Sequence, residues 1–205
     1  MTAPQRLRAA AVRAWFDARA ATYRRATEHG LWAWQRRREA AAIAAATGEV
    51  SGLAALDFGC GAGFYARLLA DRGACPVFAV DVVPGMIAQL DDPRIEAVVG
   101  DVADIDLGRE FHLVLLAGVL EFACDPVAVL ANARRHLAPG GSVVALLPPD
   151  NAAGRLYRRY HRRHGLEIAL FGPGRVCSLA VAAGLMVVTA RPVPPYGVVY
   201  ALAAR

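Results

Sequence analysis

Residues 56–65 read LDFGCGAGFY: an apolar run holding one acid, three glycines at alternate positions, then two aromatics. A turn this bare, directly after an apolar strand, constrains the fold more than any other stretch. Without Cβ atoms the backbone takes tight, left-handed geometry and allows close approach of a ligand or another segment. The flanking pattern supplies the context. Leu53–Phe58 reads as a strand and Phe64–Asp71 as a helix; Val77–Val80, Ile95–Val99, Leu113–Ala117 and Ser142–Leu147 read as further strands. A short helix is expected at Pro84–Leu90. Another spans Asp125–Leu137, where Asp-Pro supplies an N-cap and a proline at the first helical position. Near-continuous apolar strands alternating with helices specify a parallel sheet covered on both faces.

Two helical patterns precede this core. Gln5 to about Ala26 brings Leu7, Val12, Trp15, Phe16 and Tyr23 near one face, and Leu31 to about Ala46 follows a break at Gly30. Pro139-Gly140-Gly141 is expected to turn the chain into the strand Ser142–Leu147. After Pro148-Pro149 come a basic helical stretch and a helix near Arg175–Ala183. A final strand pair, Met186–Ala190 and Val198–Ala203, is joined through RPVPPYG.

The 205 residues suit one α/β domain, and a 56% apolar, 20% charged composition predicts a packed core. Apolar stretches such as Leu113–Leu120 are far shorter than the roughly 20 residues of a membrane span. No apolar leader segment is visible, so a cytoplasmic location is expected. Cys60, Cys75, Cys124 and Cys177 lack CxxC spacing and read as reduced thiols; no metal is expected. The charge is unevenly spread. Residues 1–50 carry nine arginines against four acids, residues 51–150 six against thirteen, and residues 151–205 eight against one. An acidic middle thus lies between two basic ends.

The glycine spacing chooses between nucleotide ligands. A dinucleotide turn reads GxGxxG, with a third glycine for close helix–strand packing. Here that position is Phe64, and the run is instead Asp57-x-Gly59-x-Gly61-x-Gly63. An acid before the glycines can accept hydrogen bonds from a cationic amine, such as the ammonium on the methionine end of S-adenosylmethionine. Asp81, ending the second strand in VFAVDVVPGM, suits the two ribose hydroxyls; both nucleotide classes use an acid there. Asp101 in VVGDV suits the adenine amino group.

LDFGCGAG, VDVVPGM, GDV, VLEFACDP and LAPGG together resemble the successive motifs of class I S-adenosylmethionine-dependent methyltransferases, in order, over about residues 53–150. The small-molecule branch with quinone- and biotin-pathway enzymes is the most similar in pattern. The resemblance implies a Rossmann-like α/β fold: a seven-stranded, mostly parallel sheet with its last strand antiparallel, under an N-terminal helical lid. Residues 1–205 then form one domain, with the lid over 1–50, the cofactor-binding core over 51–150 and an acceptor-side segment over 151–205. The implied cofactor contacts are Tyr23, Asp57, Gly59, Cys60, Gly61, Gly63, Asp81, Val82, Met86, Asp101, Val102 and Ala117. Tyr23 lies in WFDARAATY, where relatives carry a tyrosine near the cofactor carboxylate; packing on the helix face is its other reading.

Methyl transfer from a sulfonium needs an aligned nucleophile and exclusion of water, with a general base only for a protonated acceptor. O-methylation of a small molecule is therefore expected without a strong catalytic signature. Quinone-pathway relatives often read Leu-Glu-His where this chain has Leu120-Glu121-Phe122, so a histidine-held metal is not carried over. Glu121 stays a candidate at the active-site mouth, with helix capping as its alternative. In RLYRRYHRRHG (155–165), Arg155, Arg158, Arg159, Arg162 and Arg163 wrap most of a helix around a stripe of Leu156, Tyr157 and Tyr160. One reading is a solvated helix. The other is a cationic entrance for an anionic acceptor, a carrier protein or a peripheral membrane surface, with His161 and His164 as candidate bases. No stable nucleic-acid partner is expected: no amino-methylation motif of the [ND]PP[YF] type follows strand four. A nucleic-acid methyltransferase and a non-catalytic relative remain the alternatives.

Overall fold

A computed structural model describes residues 3–27 and 29–205, without the side chains of residues 4–6 and 31. Seven strands form one sheet: β1 (Ala55–Phe58), β2 (Val77–Asp81), β3 (Ile95–Val99), β4 (Phe111–Ala117), β5 (Leu137–Leu147), β6 (Leu185–Val193) and β7 (Gly197–Ala204). Their order is β3-β2-β1-β4-β5-β7-β6. β1 to β5 pair in parallel, and β7 runs antiparallel to both β5 and β6. The expected sheet with one antiparallel strand is the one present. The winding reverses between β1 and β4, which opens a crevice at their C-terminal ends.

Alternation along the strands builds two cores. Leu56, Phe58, Val114, Leu116, Val143 and Ala145 point to one face, beneath α6 (Pro126–Arg135) and α8 (Pro173–Ala182). Ala55, Leu113, Leu115, Val144 and Leu146 point to the other, beneath α4 (Phe64–Asp71) and α3 (Gly30–Thr47). Ile43 and Ala40 bury one side of α3 against this face. So α3 belongs to the sandwich. At the strand ends it is joined by α1 (Ala3–Asp17) and α2 (Ala20–Thr27), whose Phe16 and Tyr23 pack together there.

Three expectations change. The pattern from Gln5 to Ala26 is two helices, broken at Ala18–Arg19, and Leu7 is exposed instead of sharing the buried face of Trp15 and Phe16. The break lets Phe16 and Tyr23 turn to the same side, with ring centroids 6.1 Å apart. β5 starts at Leu137, not Ser142; Leu137 pairs with Phe111, and an irregularity between Phe111 and Leu113 absorbs the Pro-Gly-Gly segment. α6 begins where Asp-Pro predicts: Asp125 Oδ1 accepts from the Val127 and Ala128 amides, both at 3.0 Å.

Candidate active site

Two adjoining hollows occupy the C-terminal ends of the strands. The smaller, of about 140 Å³, follows the loops after β1, β2, β3 and β4. Gly59, Cys60, Gly61, Asp81, Val82, Met86, Asp101, Val102, Ala117 and Tyr23 all border it. These ten of the twelve cofactor candidates come together because each motif ends a strand of one parallel sheet. Gly63 does not border it. Its φ of +81° opens α4, and a Cβ there would lie 2.7 Å from Leu90.

Asp57 corrects the expectation. Strand alternation turns it with Ala55 toward the α4 face. Its carboxylate is buried and makes no hydrogen bond of good geometry among the described residues. Burial, with Asp81 close by, pushes its pKa up to about 7 against a smaller pull from the Ala66 amide. It borders neither hollow.

Asp81 anchors the groove. Its Oδ2 accepts from the Gly61 amide at 2.8 Å and its Oδ1 from the Val83 amide at 2.9 Å. Each oxygen keeps a lone pair for a further donor. Asp101 accepts from the Ala103 amide at 2.9 Å. Gly61 has φ +53°, and a Cβ there would point at the Tyr23 ring, 3.4 Å away. The donor set fits S-adenosylmethionine: paired acceptors for ribose hydroxyls, bare backbone beside them, and Val82, Met86 and Val102 as apolar walls for a purine.

The larger hollow, of about 440 Å³, shares Phe16, Tyr23, Arg36, Tyr65, Ala117, Gly118 and Phe122 with the groove. α7 (Ala152–Arg163) closes its far side with Tyr157, Tyr160 and His161, followed by His164. The lid is tied there by Trp15 Nε1–H, which donates to the His164 carbonyl at 2.7 Å. Glu121 also lines this cavity. Burial pushes its pKa up to about 8, with Glu39 adding to the rise, and its Oε2 has no partner among the described residues. His161 is packed by Tyr157, Tyr160 and Phe122, with ring centroids at 4.4, 5.5 and 6.1 Å. Burial, then His164, pulls its pKa down to about 4.

The arginines of α7 lie away from that cavity. Arg155, Arg158, Arg159 and Arg162 flank a separate outward hollow with Leu156 and do not border the aromatic cavity. One turn of helix cannot present tyrosines and arginines to the same side, and desolvating four guanidinium groups would cost far more than burying the tyrosine–histidine stripe.

Sequence reasoning missed a network on α3. Arg36 donates to the Tyr23 hydroxyl at 3.2 Å and lies over the Phe64 ring, 5.1 Å from its centroid. Tyr65 donates to Glu39 Oε2 at 2.8 Å, and Gln35 Nε2 to Glu39 Oε1 at 3.0 Å. The spacing of Gln35, Arg36 and Glu39 puts them on one helical face, the only signal available. Among the described residues, no three His, Cys, Asp or Glu side chains converge on a metal-binding point. No described helix is long and apolar enough to cross a membrane.

The sheet order and the glycine turn after β1 give the Rossmann-like fold of class I methyltransferases. Residues 56–145 match the model of the methyltransferase domain family. The cypemycin N-terminal methyltransferase of a Streptomyces species is 34% identical over 101 residues, covering 45% of this chain and 41% of that protein. The ubiquinone biosynthesis O-methyltransferase of Neisseria meningitidis is 30% identical over 107 residues, covering 46% and 44%. The chain thus spans less than half the length of these curated relatives. In fold, magnesium protoporphyrin IX methyltransferase of Synechocystis PCC 6803 with bound SAH superposes at a TM-score of 0.78 and 15% identity, over 97% of this chain and all of that one.

Proposed function

We propose that the protein transfers a methyl group from S-adenosylmethionine to an oxygen of a small-molecule acceptor. The observation that carries this reading is the wall shared by the groove and the aromatic cavity, at Ala117, Gly118, Tyr23 and Arg36. When bound, S-adenosylmethionine supplies an electrophilic methyl group. The chain's part is to bind, align and exclude water. Asp81 accepts from the ribose, Asp101 from the adenine amino group, and Gly59, Cys60 and Gly61 bring backbone alongside. Arg36, with Tyr23, meets the carboxylate at the methionine end. Trp15 and Phe16 of α1 roof the acceptor, and a roofed cavity of this size favours a small molecule over a nucleic acid.

Titration by calorimetry tests the cofactor: S-adenosylmethionine should bind and NAD should not. S-adenosylhomocysteine release across an acceptor panel tests the transfer. Cofactor binding without turnover on any acceptor would favour a non-catalytic relative. Asp81→Ala should weaken S-adenosylmethionine binding by about 1.5–3 kcal/mol, the range for hydrogen bonds to a charged group. It also frees the Gly61 and Val83 amides, so an unchanged affinity would move the ribose elsewhere. Replacing Arg158, Arg159 and Arg162 together with glutamine should leave the acceptor's KM within about twofold, because exposed charges off the cavity act only through screened fields. A large rise in KM would put the acceptor on the outward face of α7.

A further inference from the structure

The cavity beside the groove carries two features that together describe its occupant. Its wall is mostly ring: Trp15, Trp32, Phe122, Tyr157, Tyr160 and Tyr196 come from the lid, α3, the segment after β4, α7 and the β6–β7 turn. Within that wall, three buried side chains hold polar atoms with no partner among the described residues: Gln35 Oε1, Glu121 Oε2 and both ring nitrogens of His161. These atoms expose almost no surface, so a ligand in the cavity meets Glu121 through its other oxygen, Oε1. Ring walls select a flat, polarisable body, which packs face or edge against them. An aliphatic chain would use neither feature.

Resting on the methyl-transfer reading above, we infer that the acceptor is a planar aromatic molecule bearing a ring hydroxyl, and that the Glu121 carboxylate takes the hydroxyl proton during transfer. The position suits the task. A Cβ on Gly118 would lie 3.7 Å from Glu121 Oε1, which sets the carboxylate beside the wall shared with the cofactor groove. The titratable and charged groups that share the cavity with it are Arg19 before α2 and Tyr23 within it, Arg36 and Glu39 of α3, Tyr65 of α4, Tyr157, Tyr160 and His161 of α7, His164 after that helix, and Tyr196 of the β6–β7 turn. A carboxyl raised to about 8 is matched to a phenol of about 10, so the proton moves with little mismatch. His161, pulled down to about 4, is too weak a base for this step. His164 bonds the Tyr160 carbonyl through Nδ1 and lies exposed at the rim. In the step, a lone pair of the phenol oxygen forms the new O–CH3 bond. The pair of the breaking C–S bond stays on sulfur, giving S-adenosylhomocysteine, and the O–H proton goes to Glu121 and then to solvent.

The test is binding, not turnover. 2-Naphthol, 2-methoxynaphthalene and decanoate are titrated by calorimetry into the complex with S-adenosylhomocysteine, at pH values well below and just above about 8. Naphthol should bind, and decanoate should bind at least about tenfold more weakly. Above the transition, naphthol should exceed its methyl ether by roughly tenfold or more, a preference that shrinks below it as the carboxylate protonates. Glu121→Gln should remove the pH dependence of that preference and leave S-adenosylhomocysteine affinity unchanged, which also reports that the variant is folded. Equal or tighter decanoate binding would overturn the acceptor class, as would failure of naphthol to bind. A preference indifferent to pH in the parent, or retained by Glu121→Gln, would overturn the role of Glu121. Failure of the parent to bind S-adenosylhomocysteine would instead remove the methyl-transfer reading, and this inference with it.

Discussion

Gly154→Ala is expected to cut methyl transfer by about a hundredfold or more while leaving S-adenosylmethionine affinity within about twofold. Gly154 is buried in the first turn of α7, where a Cβ would lie 1.8 Å from the Pro149 carbonyl oxygen. That atom is backbone and cannot swing away, so α7 must retreat by more than 1 Å. Helix propensity argues the other way, since alanine favours a helix interior by about 1 kcal/mol over glycine. Overpacking costs about 1–3 kcal/mol and occasionally more, so the steric term wins. At about 2–4 °C per kcal/mol for a chain of this size, Tm should drop by roughly 2–12 °C. A 1 Å displacement of Tyr157, Tyr160 and His161 from the cavity is enough for the loss of rate. The groove's residues lie on other loops and should keep their affinity. Parent-like turnover, with raised Tm, would mean that α7 does not shape the acceptor site.

Gly61→Val is expected to remove S-adenosylmethionine binding, by more than about a thousandfold, or roughly 4 kcal/mol at about 1.4 kcal/mol per tenfold. Two effects combine. A β-branched residue at φ +53° is strained by about 1–3 kcal/mol, and its side chain would project toward the Tyr23 ring, into the groove that both border. Gly108→Val separates the two. Gly108 has φ +60° with open space around it, away from both hollows, so strain acts there without blockage. Its affinity should stay at the parent value. Equal losses in both variants would make the Gly61 effect a folding defect and not exclusion of a ligand.

The groove was legible in the sequence because its parts are local. Each of Gly59, Asp81, Asp101 and Ala117 follows or ends an apolar strand, and a parallel sheet brings all such ends to one edge. Asp57 is less legible within that same logic. It precedes the glycines by two residues, but alternation in β1 turns it to the α4 face, and strand pattern alone does not say which face the ligand takes. The cavity was much less legible. Its walls come from seven separated segments, and a helical stripe reveals which residues travel together without revealing what they face. In α7 the tyrosine–histidine side went inward because rings are cheaper to desolvate than arginines. That rule favours the same outcome from sequence, had the composition of each helix face been weighed. Arg36 and Glu39 gave no such signal: on α3 they look like surface charge until Tyr23 and Tyr65 are seen to meet them.

A crystal structure of the protein grown with S-adenosylhomocysteine bears on all of this at once. The ribose hydroxyls should lie within hydrogen-bonding distance of Asp81, the adenine between Val82, Met86 and Val102, and the sulfur toward Ala117 and Gly118, facing the aromatic cavity. Ligand density away from the glycine turn would contradict the proposal, as would a sulfur pointing away from the Tyr157–Glu121 cavity.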